Sequence, residues 1–156
     1  MKAQVAINDF LGQRRVAVVG LSRKPDDFSR YVFRELRNRH YDVVPVNPSG
    51  GEIDGQACFA RVQDVLPAVD GALLMTSPEV TDEVVKDCAE AGVSRVWMHR
   101  GAGPGAVSEQ ATVFCREHGI EVVAGACPLM FLPEAGLAHR IHGAILKLFR
   151  RHPAGH

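Results

Sequence analysis

Short apolar runs alternate along the chain with longer segments in which apolar side chains recur at helical spacing. Five of the short runs are rich in β-branched residues and predict strands. They span residues 15–19, 42–46, 71–76, 95–99 and 121–124. Most are almost continuously apolar, which is typical of parallel strands that are covered on both faces.

Three of the segments between these runs predict crossover helices. The first helix takes Ser29 as its candidate N-cap, the second begins near Pro78 and ends at Gly92, and the third begins near Ser108 and ends at Gly119. The apolar stripes of the first two are Val32, Phe33 and Leu36, and Val80, Val84, Val85 and Cys88.

The other segments carry weaker patterns. Residues 47–67 are rich in turn residues and predict a loop, with a short extended piece near Cys58 and Phe59 and one helical turn over 62–66. Residues 5–11 predict a helix that caps the sheet. Residues 133–151 predict an extra C-terminal helix packed on the sheet, with dimerisation or an anionic surface as the alternative. Its apolar stripe is Leu137, Ile141, Ala144, Ile145 and Leu148, and its basic side is Arg140, Lys147, Arg150 and Arg151.

Strands that alternate with crossover helices predict a three-layer α/β fold with a doubly wound parallel sheet of about five strands. The chain of 156 residues has the length of one ordinary domain. No repeat or linker divides it, so we expect a single domain over 1–156 with its core at about 10–132.

Composition narrows the function classes. The 18 basic and 18 acidic residues cancel, so no net charge attracts nucleic acid or a membrane surface. No apolar run has the length of a membrane span or a secretory signal, which favours a cytoplasmic protein. The cysteines form neither a C-x-x-C pair nor a disulfide framework and are expected to be reduced thiols; they are Cys58, Cys88, Cys115 and Cys127.

Ligands of doubly wound sheets bind at the carboxyl ends of the strands, where the strand order reverses. The loops expected there follow the first, second and third strands. Gly20 allows a close backbone approach, and amides of the turn and helix start can face a phosphate. Ser22 adds a hydroxyl, and three basic residues can neutralise phosphate charge; they are Arg23, Lys24 and Arg30. A phosphate-bearing ligand is therefore one interpretation, and an ordinary turn with solvated charges is the other.

A dinucleotide is disfavoured by two features. After Gly20 the chain continues with Leu21 and Ser22, so the G-x-G-x-x-G motif is incomplete. The second strand ends at Asn47 and Pro48, where a dinucleotide enzyme usually places an acidic residue for the ribose hydroxyls. These two residues either begin a turn or contact an adenine.

Four motifs carry a resemblance to a known family: VAVVGLSRKP, YDVVPVNPSGGEIDGQACFARVQDV, VWMHRG and CPLMF. In this order and spacing they resemble the small stand-alone CoA-binding proteins, Rossmann-like domains similar to the N-terminal domain of succinyl-CoA synthetase alpha subunits. The resemblance covers about residues 10–132. It implies coenzyme A or an acyl-CoA as the ligand.

The resemblance also implies site residues. Gly20, Leu21, Ser22 and Arg23 match the phosphate turn, Asn47 and Pro48 lie beside the nucleotide, and Thr76, Ser77 and Pro78 form the opposite wall. Trp97, Met98 and His99 match a strand end, and Cys127 with Pro128 matches a Cys-Pro pair. The chain departs from the family at Ser49 and in its MTSPE loop, where relatives are often basic. Arg100 is a candidate to compensate for the missing charge.

No catalytic or metal-binding residue is assigned. His99 is either a proton-transfer residue or, by preference, a structural one, because no nucleophile or carboxylate is evident near it. Cys127 is expected to be buried and inert, with exchange against a CoA thiol as the alternative. His139 and His142 lack further metal ligands at a fixed spacing. The sequence therefore predicts a CoA-binding or regulatory module, as a monomer or homodimer.

Two rival functions stay open at this point. An NAD(P)-binding oxidoreductase or redox sensor is one, and a protein-interaction domain that has lost its ligand is the other. The three functions differ in what the protein binds: a CoA species, NAD(P), or neither.

Overall fold

Seven strands and four helices form the described part of the chain, residues 2–132 of a computed structural model. The strands are β1 (Arg15–Val19), β2 (Asp42–Val46), β3 (Glu52–Ile53), β4 (Gln56–Ala57), β5 (Gly71–Leu74), β6 (Arg95–Met98) and β7 (Glu121–Ala124). The helices are α1 (Lys2–Leu11), α2 (Phe28–Asn38), α3 (Pro78–Glu90) and α4 (Glu109–Glu117). Short 3-10 turns span Val62–Asp64 and Pro128–Phe131.

The main sheet has five parallel strands in the order β2-β1-β5-β6-β7. Val16 of β1 is paired with Val43 on one side and with Gly71 on the other. The chain therefore winds outward from β1 to β2 and then crosses to β5 and beyond. This order confirms the predicted doubly wound α/β fold, and it places the reversal of strand order between β1 and β5.

Both faces of the sheet are covered by helices, which makes three layers. One face packs against α1 and α2, where Phe10 meets the fully buried Trp97 edge to face with ring centroids 5.4 Å apart. The other face packs against α3 and α4, whose Val85, Cys88 and Cys115 are fully buried. Alternating side chains along each strand feed the two cores in turn. The nearly continuous apolar runs in the sequence reflect this double burial.

Two details of the predicted helices are wrong. Helix α2 begins at Phe28, and its N-cap is Asp27, not Ser29; the Asp27 carboxylate accepts a hydrogen bond of 2.9 Å from the Ser29 amide. On α3, Val80 is 48% exposed, and Thr81 takes its expected place in the buried stripe. A polar Thr81 was missed because its hydroxyl is satisfied locally by the Ser77 carbonyl at 3.0 Å.

The segment from 47 to 67 holds a short extended piece and a helical turn, as expected. Phe59 bridges Val46 at the edge of the sheet, and the turn spans Val62–Asp64. Its antiparallel β3–β4 hairpin was not predicted. Strands β5 and β6 end slightly earlier than the apolar runs suggested, at Leu74 and Met98.

None of the helices within residues 2–132 has the length and apolar character needed to span a membrane. The predicted C-terminal helix, with its apolar stripe, its basic side, His139 and His142, lies outside the described residues.

Candidate functional site

The candidate crevice lies at the carboxyl ends of β1, β2 and β5. It brings together the turn after β1, residues 20–24, with the loop at Asn47 and the loop at Thr76. The Gly20 amide donates to the Val46 carbonyl at 3.0 Å, and the Met75 amide donates to the Val19 carbonyl at 2.8 Å. Because these bonds continue the sheet beyond its strands, the three loops start from fixed positions.

Gly20 is required at the head of this turn. Its φ is +87°, a conformation that favours glycine. A Cβ built on Gly20 would lie 2.8 Å from the Met75 oxygen and 2.9 Å from Cγ2 of Thr76. The turn therefore passes directly against the end of β5, and only a residue without a side chain permits that approach.

The rest of the turn is held by Ser22 and Ser29. The Ser22 amide donates to Ser29 Oγ at 3.0 Å, and the Lys24 amide donates to Ser22 Oγ at 3.1 Å. Leu21 between them is fully buried, so its side chain anchors the turn in the core. Arg23 is exposed, and within residues 2–132 its amide donates no hydrogen bond.

The three basic residues near the turn differ in position. Arg23 and Lys24 are exposed, and the Arg23 guanidinium reaches across to the Glu52 carbonyl at 3.4 Å. Arg30 faces inward with a side chain only 6% exposed. It donates to the Arg23 carbonyl at 3.1 Å and the Ser22 carbonyl at 3.3 Å, and it pairs with Asp54. Arg30 therefore holds the turn from beneath, and the expectation that it faces a phosphate is not met.

A carboxylate occupies the start of α2. Hydrogen bonds from the hydroxyl and amide of Ser29 lower the pKa of Asp27 below its usual 3.8, so this residue is an anion at neutral pH. It takes the position at the helix N-terminus that the sequence suggested for a phosphate. An anion at this helix N-terminus would therefore be repelled by the Asp27 carboxylate.

Asn47 connects two of the crevice loops. Its Nδ2 donates to the Leu21 carbonyl at 2.8 Å, and its Oδ1 accepts from the Ser49 amide at 2.8 Å. Both ends of the Asn47 side-chain amide are therefore hydrogen-bonded within the protein, one to the turn after β1 and one to its own loop. Of the two interpretations of Asn47 and Pro48, this geometry favours the start of a turn. Pro48 and Ser49 lie exposed on the rim beside it.

The opposite wall is the start of α3. Ser77 is the N-cap and accepts from the Val80 amide at 3.4 Å, and Pro78 occupies the first turn, as expected. Thr76 shares a hydrogen bond of 2.6 Å with Thr81. These side-chain contacts fix the direction in which the loop leaves β5.

The loop after β6 carries His99 and Arg100. His99 is 93% buried, burial lowers its pKa, and its Nε2 has no hydrogen-bond partner within residues 2–132. Its ring centroid lies 5.7 Å from that of Phe28. Arg100 is exposed and donates from Nε to the Gly103 carbonyl at 3.1 Å.

A cavity of about 400 Å³ opens beside His99, and several of its lining residues were missed in the sequence. Those residues are Asp27, Phe28, Met75, Gly101, Ala102, Gly105 and Ala106. No motif or spacing in the sequence marked them: Met75 fell inside the predicted strand over 71–76, and Phe28 directly precedes Ser29, which was taken as the N-cap.

All four cysteines are free and buried. Burial raises the pKa of each thiol, to about 11 for Cys115. Cys127 is therefore a protonated, poorly nucleophilic thiol, in agreement with the expectation of a buried and inert residue.

Comparison with known proteins is consistent with this geometry. A family model described as "CoA binding domain" matches residues 14–133. The uncharacterized protein YneT of Bacillus subtilis is 28% identical over 114 residues, which are 73% of this chain and 82% of YneT. An ADP-forming acetate–CoA ligase of Methanocaldococcus jannaschii is 28% identical over 80 residues, 51% of this chain but only 11% of the ligase.

A solved structure shares the fold. A hypothetical protein from Pyrococcus horikoshii superimposes with a TM-score of 0.74 at 26% sequence identity. The match covers 82% of this chain and 87% of that protein.

Proposed function

The chain belongs to the CoA-binding domain family, and from that premise we propose that it binds coenzyme A or an acyl-CoA in the crevice at the carboxyl ends of its strands. We propose a binding or regulatory role rather than catalysis. The shared part is only 11% of the length of the related acetate–CoA ligase, so the activity of that longer enzyme is not carried over to this chain.

The geometry of the turn after β1 carries the proposal. Gly20 brings the backbone against β5, the Arg23 amide donates no hydrogen bond within residues 2–132, and the side chains of Arg23 and Lys24 are exposed. Charge-assisted hydrogen bonds from such groups suit the pyrophosphate of coenzyme A. We place the adenosine side of the pyrophosphate beside Asn47–Pro48 and its pantetheine side beside Thr76–Pro78.

The end of β2 supports CoA over a dinucleotide. A dinucleotide enzyme presents a carboxylate to the ribose hydroxyls at this position. Here the position holds Asn47, whose side-chain amide already bonds to the Leu21 carbonyl and the Ser49 amide. Four free thiols also fit a reducing compartment, and we propose the cytoplasm as the location.

Charge reversal at Arg23 tests the proposal. Arg23→Glu places a negative charge against the ligand phosphates, and we expect it to weaken CoA binding at least about tenfold, since a hydrogen bond to a charged group contributes about 1.5–3 kcal/mol. The dissociation constant of CoA is measured by isothermal titration calorimetry at a fixed salt concentration.

Arg14→Glu is the matched control. Arg14 is also exposed and directly precedes β1, so it lies at the amino ends of the strands, opposite the crevice. The same change of charge there should leave the dissociation constant nearly unaltered. Equal weakening by both substitutions, or none by Arg23→Glu, contradicts the assignment of the phosphate turn.

A further inference from the structure

The Arg23 side chain reaches from the turn after β1 to the loop after β2. Its Nη1 donates to the Glu52 carbonyl at 3.4 Å. A Cβ built on Gly51 would lie 3.3 Å from its Nη2 and 3.7 Å from its Nη1. Burial raises the pKa of Cys58, and the nearby positive charge of Arg23 acts in the opposite direction. The guanidinium therefore lies against the Gly51 backbone, on the side of the crevice that the loop after β2 forms.

The backbone is held in place at both ends of this span. In the turn, the buried Arg30 donates to the Arg23 carbonyl at 3.1 Å. In the loop, the Cys58 amide donates to the Gly51 carbonyl at 2.8 Å. The Arg23 side chain between these two fixed points is exposed, so its charged end is accessible to a ligand in the crevice.

The loop after β2 and the hairpin that follows it supply no positive charge of their own. Residues 47–58 contain no lysine or arginine, and their charged side chains are the carboxylates of Glu52 and Asp54. Arg23 therefore brings a cation to a wall of the crevice whose own sequence is acidic. Its hydrogen bond to the neutral Glu52 carbonyl is long at 3.4 Å, so a phosphate oxygen would be the stronger acceptor.

We propose that Gly51 is a positioning residue for the phosphate site, an inference that rests on the function proposed above. Because Gly51 has no side chain, the Arg23 guanidinium can lie at the loop after β2 and meet the ligand phosphates from the adenosine side. A Cβ at position 51 would displace it, since 3.3 Å is shorter than the roughly 3.5–4.0 Å of an optimal van der Waals contact. On the α2 side the Asp27 carboxylate repels an anion, which also favours the side where Gly51 lies.

Gly51→Ala tests the proposal, with CoA as the probe. We expect the dissociation constant of CoA to rise about tenfold, because the ligand loses most of a hydrogen bond to the displaced guanidinium. In an Arg23→Gln background the same substitution should change the dissociation constant less than about twofold, since the group that Gly51 positions is then absent. Isothermal titration calorimetry of the wild type, both single variants and the double variant measures this coupling.

Gly55→Ala is the matched control. Gly55 lies in the turn between β3 and β4, is exposed like Gly51 and has the same φ of +78°. A Cβ there meets no heavy atom of residues 2–132 within 4 Å, so the two substitutions add similar backbone strain and only the first displaces Arg23. If Gly51→Ala does not fold, as judged by circular dichroism, Gly51→Asn and Gly55→Asn form a second pair, because asparagine tolerates a positive φ.

The outcomes separate the positioning role from the proposed function. An unchanged dissociation constant for Gly51→Ala, equal weakening by Gly51→Ala and Gly55→Ala, or an effect of Gly51→Ala that persists in the Arg23→Gln background overturns the role of Gly51 but leaves CoA binding intact. Failure of the wild type to bind CoA overturns the proposed function itself.

Discussion

His99 is an ionisable side chain held between Phe28 and the loop that follows β6. Burial lowers its pKa from 6.5, so the folded protein favours the neutral ring. Above pH 6.5 the ring is neutral in both the folded and the unfolded chain. Below that value the unfolded chain binds a proton that the folded chain binds less readily, so the free energy of unfolding falls as the pH drops.

His99→Gln should remove this acid sensitivity. Between pH 7.5 and 5.5 we expect the wild type to lose up to about 1.4 kcal/mol more of its free energy of unfolding than the variant loses. Urea unfolding at the two pH values measures this difference. The pKa values of Asp27 and Asp54 are lowered from 3.8, so these carboxylates lose their contribution only below about pH 4. Parallel losses in the two proteins contradict the assignment.

The sequence predicted which residues lie at the carboxyl ends of the strands, but it did not predict which way their side chains face. Gly20, Asn47 and Thr76 each follow a strand run, and parallel strands bring such residues to one edge. Arg30 follows the same turn but faces inward, because its partner is Asp54 in a hairpin with no sequence signal of its own. The sequence alone does not distinguish a basic residue that faces a ligand from one that pairs with a carboxylate inside the protein.

The β3–β4 hairpin is held to α2 by arginines, and its Asp54 is central to the contact. Arg30 pairs with Asp54, and Arg34 lies 3.7 Å from the same carboxylate. Arg37 donates to Gln56 Oε1 at 2.9 Å. Because Arg30 also donates to two carbonyls of the turn after β1, the hairpin, the helix and the turn are connected through one buried guanidinium.

Asp54→Asn should therefore lower the free energy of unfolding. Asparagine tolerates the φ of +49° at this position, so the substitution removes the charge without adding backbone strain. It leaves the buried Arg30 guanidinium without a counter-ion, and we expect a loss of about 1.5–3 kcal/mol in the free energy of unfolding, the contribution of a hydrogen bond between charged groups. Denaturant titration monitored by circular dichroism gives this value.

Asp42→Asn is the comparison, because its partner Arg15 forms an ion pair of similar geometry with an Asp42 side chain that is 48% exposed. Such a pair contributes less than about 1 kcal/mol. Similar losses for the two variants argue against a special role for the hairpin contact.

Elements with their own periodicity were predictable, and elements defined by tertiary contacts were not. The five main strands and α3 follow from local patterns of apolar residues and caps. Strands β3 and β4 have two residues each, too few to show an alternation, and they depend on α2. The N-cap of α2 was assigned to Ser29 because serine and aspartate are both good caps, and only the fold distinguishes them.

The whole molecule places its candidate site through strand order. In the order β2-β1-β5-β6-β7 the chain first moves from β1 to β2 and then crosses back to β5 on the other side of β1. This reversal of strand order opens the crevice at the carboxyl ends of the strands. The alternation of strands and helices was enough to predict this arrangement, since right-handed crossovers leave few other topologies. The cavity beside His99 was not predictable, because three separate segments of the chain build it.

A thermal-shift panel with CoA, acetyl-CoA, NAD and NADPH tests the central claim most directly. A ligand that binds only the folded protein, at 100 times its dissociation constant, stabilises it by about 2.7 kcal/mol, or about 5–10 °C in Tm for a chain of this size. We predict such a shift with CoA and acetyl-CoA and none with NAD or NADPH. A shift with the dinucleotides alone, or no shift with any of the four, would contradict it.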